Sequence, residues 1–159
     1  MWVTNTKEHT DALEILKYYA DKGMDMNVVN TGGYTMMHKA ASRGTIDTVR
    51  YLVEEHKVDL LSATQDGNLP LHYAANCHSL DIVSYLVEQG GEAQLSTENT
   101  DGHTALWMAE NGVARKGEDA VEEVVEYIES KIGSDKSDND NEKKEGGDEE
   151  IELEIEERA

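Results

Sequence analysis

Apolar residues recur along this chain with a helical step. Four runs show it most clearly: Leu13-Glu14-Ile15-Leu16-Lys17-Tyr18-Tyr19, Ile46-Asp47-Thr48-Val49-Arg50-Tyr51-Leu52, Leu80-Asp81-Ile82-Val83-Ser84-Tyr85-Leu86 and Val121-Glu122-Glu123-Val124-Val125-Glu126-Tyr127-Ile128. In each, apolar residues fall at i, i+3, i+6 and often i+7, one face of a helix. The equivalent positions Leu16, Val49, Val83 and Val124 are 33, 34 and 41 residues apart. A second recurring segment precedes each of the last three runs. It reads Gly33-Tyr34-Thr35-Met36-Met37-His38-Lys39-Ala40-Ala41, then Gly67-Asn68-Leu69-Pro70-Leu71-His72-Tyr73-Ala74-Ala75, then Gly102-His103-Thr104-Ala105-Leu106-Trp107-Met108-Ala109-Glu110. Its glycines are 34 and 35 residues apart. A period in this range signals stacked supersecondary units rather than one globular core.

The predicted unit is turn, short helix, tight loop, longer helix. Glycine at each turn (Gly33, Gly67, Gly102) suits a backbone with positive φ. Thr35 and Thr104 sit where a hydroxyl caps the first helix, and Pro70, the only proline, sits near the first helical position. Gly23 and Gly90 follow second helices, where a left-handed cap is expected.

These segments resemble the ankyrin repeat, whose pattern is Gly-x-Thr-Pro-Leu-His-x-Ala-Ala. The resemblance covers roughly residues 11–132 and is strongest over 30–90. Leu69 stands where the pattern has Thr, Trp107 where it has His, and His78 where a Gly separates the two helices, a Gly that Gly44 keeps one repeat earlier. The last repeat carries extra residues, 111–117, between its helices. The implied fold is all-α: an ankyrin-repeat solenoid of about three and a half helix-turn-helix repeats with β-turn or hairpin tips, plus a disordered acidic C-terminal tail. The repeat domain is placed at 1–133, with a partial first repeat at 11–30 and full repeats near 31–63, 64–98 and 99–133; the tail is 134–159.

The first repeat lacks a match to a first helix in Met1 to Thr10, so apolar surface near Leu13, Leu16, Met36 and Met37 is expected to be poorly covered. Trp2 and Val3 close that side, or a partner does, or the chain begins inside a longer array. At the other end a helix near Glu118 to Lys131 presents Glu122, Glu123, Glu126 and Glu129 as a polar cap.

Composition narrows the function classes. The net charge is −20, of which residues 134–159 contribute −8 from 12 acidic and 4 basic residues, so the body is acidic too. Such a body repels nucleic-acid phosphates and anionic membranes and favours a basic protein surface. There is no Phe, and the single cysteine, Cys77, allows no intrachain disulfide. A reducing, intracellular setting, cytoplasmic or nuclear, is therefore expected. No secretory signal or membrane-length apolar run is visible. Residues 134–149 contain nothing apolar and are expected to be disordered. Within the tail, 138–142 faintly resembles a calcium loop but lacks its Gly, and the alternation Ile151-Glu152-Leu153-Glu154-Ile155 weakly resembles a SUMO-interacting motif. A solvated charge run and a solvated tail end are the preferred readings.

No catalytic or metal constellation emerges. His9, His56, His78 and His103 show no ligand spacing, Cys77 lacks an oxyanion-stabilising loop, and no Gly-rich phosphate loop is present. No cofactor and no enzymatic activity are expected. In the ankyrin pattern His38 and His72 bond backbone groups that join neighbouring repeats, a structural role. The resemblance further implies a concave protein-binding face from the turn tips and the exposed sides of the short helices. The matching positions are Thr31, Tyr34, Ser42 and Arg43; Gln65, Asp66, Asn68 and Asn76; and Thr100, Asp101 and His103. Tyr34 and Arg43 are the strongest anchors by residue type. The resulting expectation is a monomeric adaptor or inhibitor that binds another protein; the alternative is a structural piece of a longer ankyrin array.

Overall fold

The computed structural model describes residues 7–43, 45–112 and 117–134. Trp2, Val3, Gly44, residues 113–116 and the tail motifs at 138–142 and 151–155 lie outside the described residues. Among the described residues seven α-helices follow one another: α1 Lys7–Asp21, α2 Met36–Arg43, α3 Ile46–His56, α4 Pro70–Asn76, α5 Leu80–Gly90, α6 Ala105–Asn111 and α7 Glu118–Ser134. A short 3₁₀ turn, Glu92–Ser96, lies between α5 and α6. The described residues contain no strand, and the fold is all-α.

The helices form two layers. The short helices α2, α4 and α6 pack in series as one, and the longer α1, α3, α5 and α7 pack in series as the other. Helices of seven or eight residues are too short to persist alone in water, so packing holds them. Paired small residues make that packing close: Ala40 and Ala41, then Ala74 and Ala75, are buried along the inner layer, as are Ala105 and Ala109. Val49, Leu52, Leu71, Val83, Leu86, Val124 and Ile128 are fully enclosed between the layers. The apolar stripe of each long helix thus becomes a continuous core, which no single repeat could bury by itself.

The helix ends follow local chemistry. Pro70 opens α4, where a missing N–H leaves no orphan. Thr104 Oγ1 accepts the Trp107 N–H at 3.3 Å and caps α6; Thr45 does the same for α3. Gly23, just past α1, has φ +82°. The other expected glycine cap is shifted: Gly90 is the last residue of α5, and the positive φ falls on Gly91, whose φ 85° and ψ 158° lie outside the left-handed helical region. The chain there must turn at once into the 3₁₀ segment rather than close a left-handed cap. Lys57, not a glycine, supplies the left-handed cap of α3.

The N-terminal side also differs in detail from expectation. Met37 is completely buried, and Leu13, Leu16 and Met36 are half-buried, because Leu16 and Met36 pack onto the core. The exposed apolar surface lies instead at Ile15, Tyr18 and Tyr19 on α1 and at Val28 and Val29 beyond it. Among the described helices α1 has a substantial contact only with α3. It should therefore open more easily than the centre of the stack. Amide hydrogens of residues 12–21 are expected to exchange faster than those of 71–87 in hydrogen-exchange measurements; equal protection would mean that α1 is as firmly held as α4 and α5.

Candidate protein-binding face

Three turn tips line up along one edge of the stack. Each is closed the same way. The Gly33 N–H donates to Asn30 O, Gly67 to Thr64 O and Gly102 to Asn99 O, at 2.9–3.0 Å. The side chain opening each turn locks it: Asn30 Oδ1 accepts the Gly32 and Tyr34 N–H groups, Thr64 Oγ1 that of Asn68, and Asn99 Oδ1 those of Asp101 and His103. Consecutive tips are then tied together. Gln65 donates its backbone N–H to Gly32 O and its side-chain amide to Thr31 O. Thr100 donates both its N–H and its hydroxyl to Asp66 O at 3.0 Å. The contact is close enough that a Cβ on Gly33 would lie 2.9 Å from Gln65 N, and one on Gly67 3.0 Å from Thr100 N.

Imidazoles fasten the helices behind the tips. His38 Nδ1 accepts the Thr35 N–H, and His72 Nδ1 accepts the Leu69 N–H, both at 3.0 Å. A backbone amide can only donate, so the ring proton sits on Nε2 in both. That proton reaches the next repeat: His38 donates to Asn68 O, and His72 is within reach of Thr97 O and His103 O at 3.1 and 3.2 Å. Burial holds both rings below the ordinary imidazole value, outweighing the backbone acceptors that favour protonation. Leu69 cannot cap α4 as a threonine would, and the His72 ring takes up the Leu69 N–H in any case.

The suggested surface residues divide into two groups. Thr31, Tyr34, Arg43, Gln65, Asp66, Thr100 and Asp101 are exposed. Ser42, Asn76 and His103 are half-buried, and His103 stacks flat on Trp107 with ring centroids 3.4 Å apart. Asn68 is a correction: it is buried, and its Oδ1 accepts the side-chain amide of Asn99 at 2.9 Å. The amide pair bridges two tips, which turns that side chain inward.

Three features were not anticipated from the sequence. His78 is buried in a positive-φ conformation, and its Nε2 lies 2.7 Å from Ala109 O, a further bridge between repeats. Tyr73 donates its hydroxyl to Tyr34 at 3.0 Å, and its own titration is pushed up to about 12 by burial first and by that hydrogen bond second. Lys39 is exposed beside them. Lys39, Tyr73 and Met108 share one place in the repeat, directly after the histidine position; reading that column would have found them. Charge is uneven as well. Between Lys57 and Arg115 the sequence has no lysine or arginine, but it has Asp66, Asp101 and Glu110 among its acids. Among the described residues of the tips and inner helices, Lys39 and Arg43 therefore stand as a cationic pair at the α2 end.

Among the described residues no three His, Cys, Asp or Glu side chains are grouped to hold a metal, and no helix is long and apolar enough to cross a membrane. No curated protein matches the chain. The family model for ankyrin repeats (3 copies) matches residues 1–97 and 59–140. Turn tips tied edge to edge, two helical layers and imidazoles bridging successive repeats agree with that match, and the chain belongs to the ankyrin-repeat family.

Proposed function

We propose that this chain is a non-enzymatic binding module, an adaptor or inhibitor, whose partner protein docks across the tips and the exposed sides of α2, α4 and α6. Ankyrin repeats are generally protein-interaction modules and typically non-enzymatic. The observation that carries the reading is the tip ladder. Hydrogen bonds from Gln65 and Thr100 to the preceding tips fix a row of exposed side chains, so little ordering entropy remains to be lost on binding. Acidic tips two and three favour a basic patch on the partner. The bare apolar surface of Ile15, Tyr18 and Tyr19 favours a second reading, a structural role in which a further repeat stacks on α1.

The test uses a partner captured by the full chain and then purified. Tyr34→Ala and Arg43→Ala are each expected to weaken binding by about 1–3 kcal/mol, mostly through faster dissociation. A chain ending at Gly133 is expected to associate more slowly, with a weaker salt dependence, because long-range attraction from the tail charge is screened within about 8 Å at physiological salt. A partner indifferent to both point changes would place binding away from this face.

A further inference from the structure

We infer that the α2 end of the concave face is a carboxylate-binding pocket, formed by Tyr34, Lys39, Arg43 and Tyr73, which seats an aspartate or glutamate of the partner segment. The inference rests on the proposed protein-binding function and names the chemistry of its partner.

The pocket is a groove of about 270 Å³ between α2 and α4. Tyr34 and Tyr73, with rings 5.7 Å apart, form part of its wall, and no carboxylate among the described residues lines it. Lys39 and Arg43 rise one helical turn apart on the exposed side of α2. Neither makes an ion pair among the described residues. That is unusual company for two cations in a protein of net charge −20, where carboxylates are abundant. The hydroxyls add a direction. Tyr73 spends its proton on Tyr34, so the Tyr34 oxygen accepts there and keeps its own proton to donate elsewhere. Tyr34 is 41 % exposed, which leaves that donor open to the groove. An ammonium, a guanidinium and a phenol O–H therefore line one groove with no acceptor among the described residues. A carboxylate satisfies all three, and the guanidinium fork matches its two oxygens.

The rest of the face opposes a uniformly acidic ligand. Asp66, Asp101 and Glu110 follow along the tips and α6. Inner helices pack roughly 8–10 Å apart, so α6 lies about 16–20 Å from α2. An extended segment rises about 3.3 Å per residue. A partner segment should thus carry its acidic residue at the α2 end and a basic one about five or six residues away.

The experiment is a selection of random dodecapeptides, displayed on phage, against the immobilised full chain. Recovered peptides are synthesised with a fluorophore and titrated by anisotropy. They are expected to carry an acidic residue whose change to Ala weakens binding about 10-fold, the scale of one charge-assisted hydrogen bond. Arg43→Gln, Lys39→Gln and Tyr34→Phe should weaken the parent peptide but change the Ala peptide less than about two-fold, since the coupling is then already lost. These side chains are exposed, and unchanged thermal melting of each variant verifies the fold. Peptides without an essential acid, or equal effects on both peptides, overturn the pocket alone. Peptides indifferent to every residue of the concave face, or an empty selection, count against the binding function and remove the pocket with it.

Discussion

Gly67→Ala is expected to destabilise the fold by about 2–4 kcal/mol and to lower the melting temperature by roughly 6–15 °C. Two separate penalties combine. Gly67 has φ +73°, a conformation that an L side chain adopts only at a cost of about 1–2 kcal/mol. Its Cβ would also meet the neighbouring tip, 3.0 Å from Thr100 N and 3.1 Å from Asn99 Cα. Those are backbone atoms, themselves held by Asp66 O and His103 O, so they cannot swing aside as a flexible side chain would. Gly102 isolates the first penalty. It has φ +78°, but a Cβ there meets nothing within 4 Å. Gly102→Ala should therefore show the conformational cost alone. The difference between the two variants in thermal or chemical denaturation reads the stiffness of the contact between tips. Equal losses would show that the tips give way freely and do not pack as a ladder.

His72→Ala should be at least as damaging, by about 3–5 kcal/mol, because it opens a cavity and orphans buried backbone groups. The ring is fully enclosed, accepts the Leu69 N–H and lies within reach of the Thr97 and His103 carbonyls, the latter in the next repeat. Removing it cuts the stack at its centre. The pH dependence gives an independent reading. Burial lowers the titration of His38 and His72 below the ordinary 6.5. As pH falls past that value, the unfolded chain takes up protons before the folded one does. Stability is then complete above about pH 6.5 and declines below it, at up to roughly 1.4 kcal/mol per pH unit for each ring, until the folded rings protonate. A His38→Gln/His72→Gln variant, less stable at pH 7.5, should lose much of this slope between pH 6.5 and 5. If the slope persists undiminished, other groups set the acid sensitivity.

The fold was legible because its strongest determinants repeat. Glycine at 33, 67 and 102, threonine at 35 and 104 and histidine at 38 and 72 each answer a demand that is local and recurs every 34 or 35 residues. Features that occur once were not legible. His78 looked like a missing glycine, yet it bridges to Ala109 from a left-handed backbone. Asn68 looked like an exposed tip residue, because nothing in its own segment announces that Asn99, 31 positions away, will claim its side chain. The α5 terminus moved from Gly90 to Gly91 because a 3₁₀ turn follows, which the helical pattern does not encode. The surface was partly legible: the tips were located, but the pairing of Tyr34 with Tyr73 needs α2 and α4 to be laid side by side.

The blank stretch between Lys57 and Arg115 reaches beyond recognition. Trypsin cuts after lysine and arginine, so it leaves residues 58–115 in one piece whether the chain is folded or not. That piece carries the second and third tips whole, including α4, α5 and α6. Amine-directed chemistry is confined in the same way. Acylating reagents, lysine cross-linkers and ubiquitin attachment through lysine find side-chain acceptors only up to Lys57 and from Lys116 onward. A partner seated across α4 and α6 would cover no lysine on those two helices, and footprinting it there would need reagents aimed at carboxylates or aromatic rings.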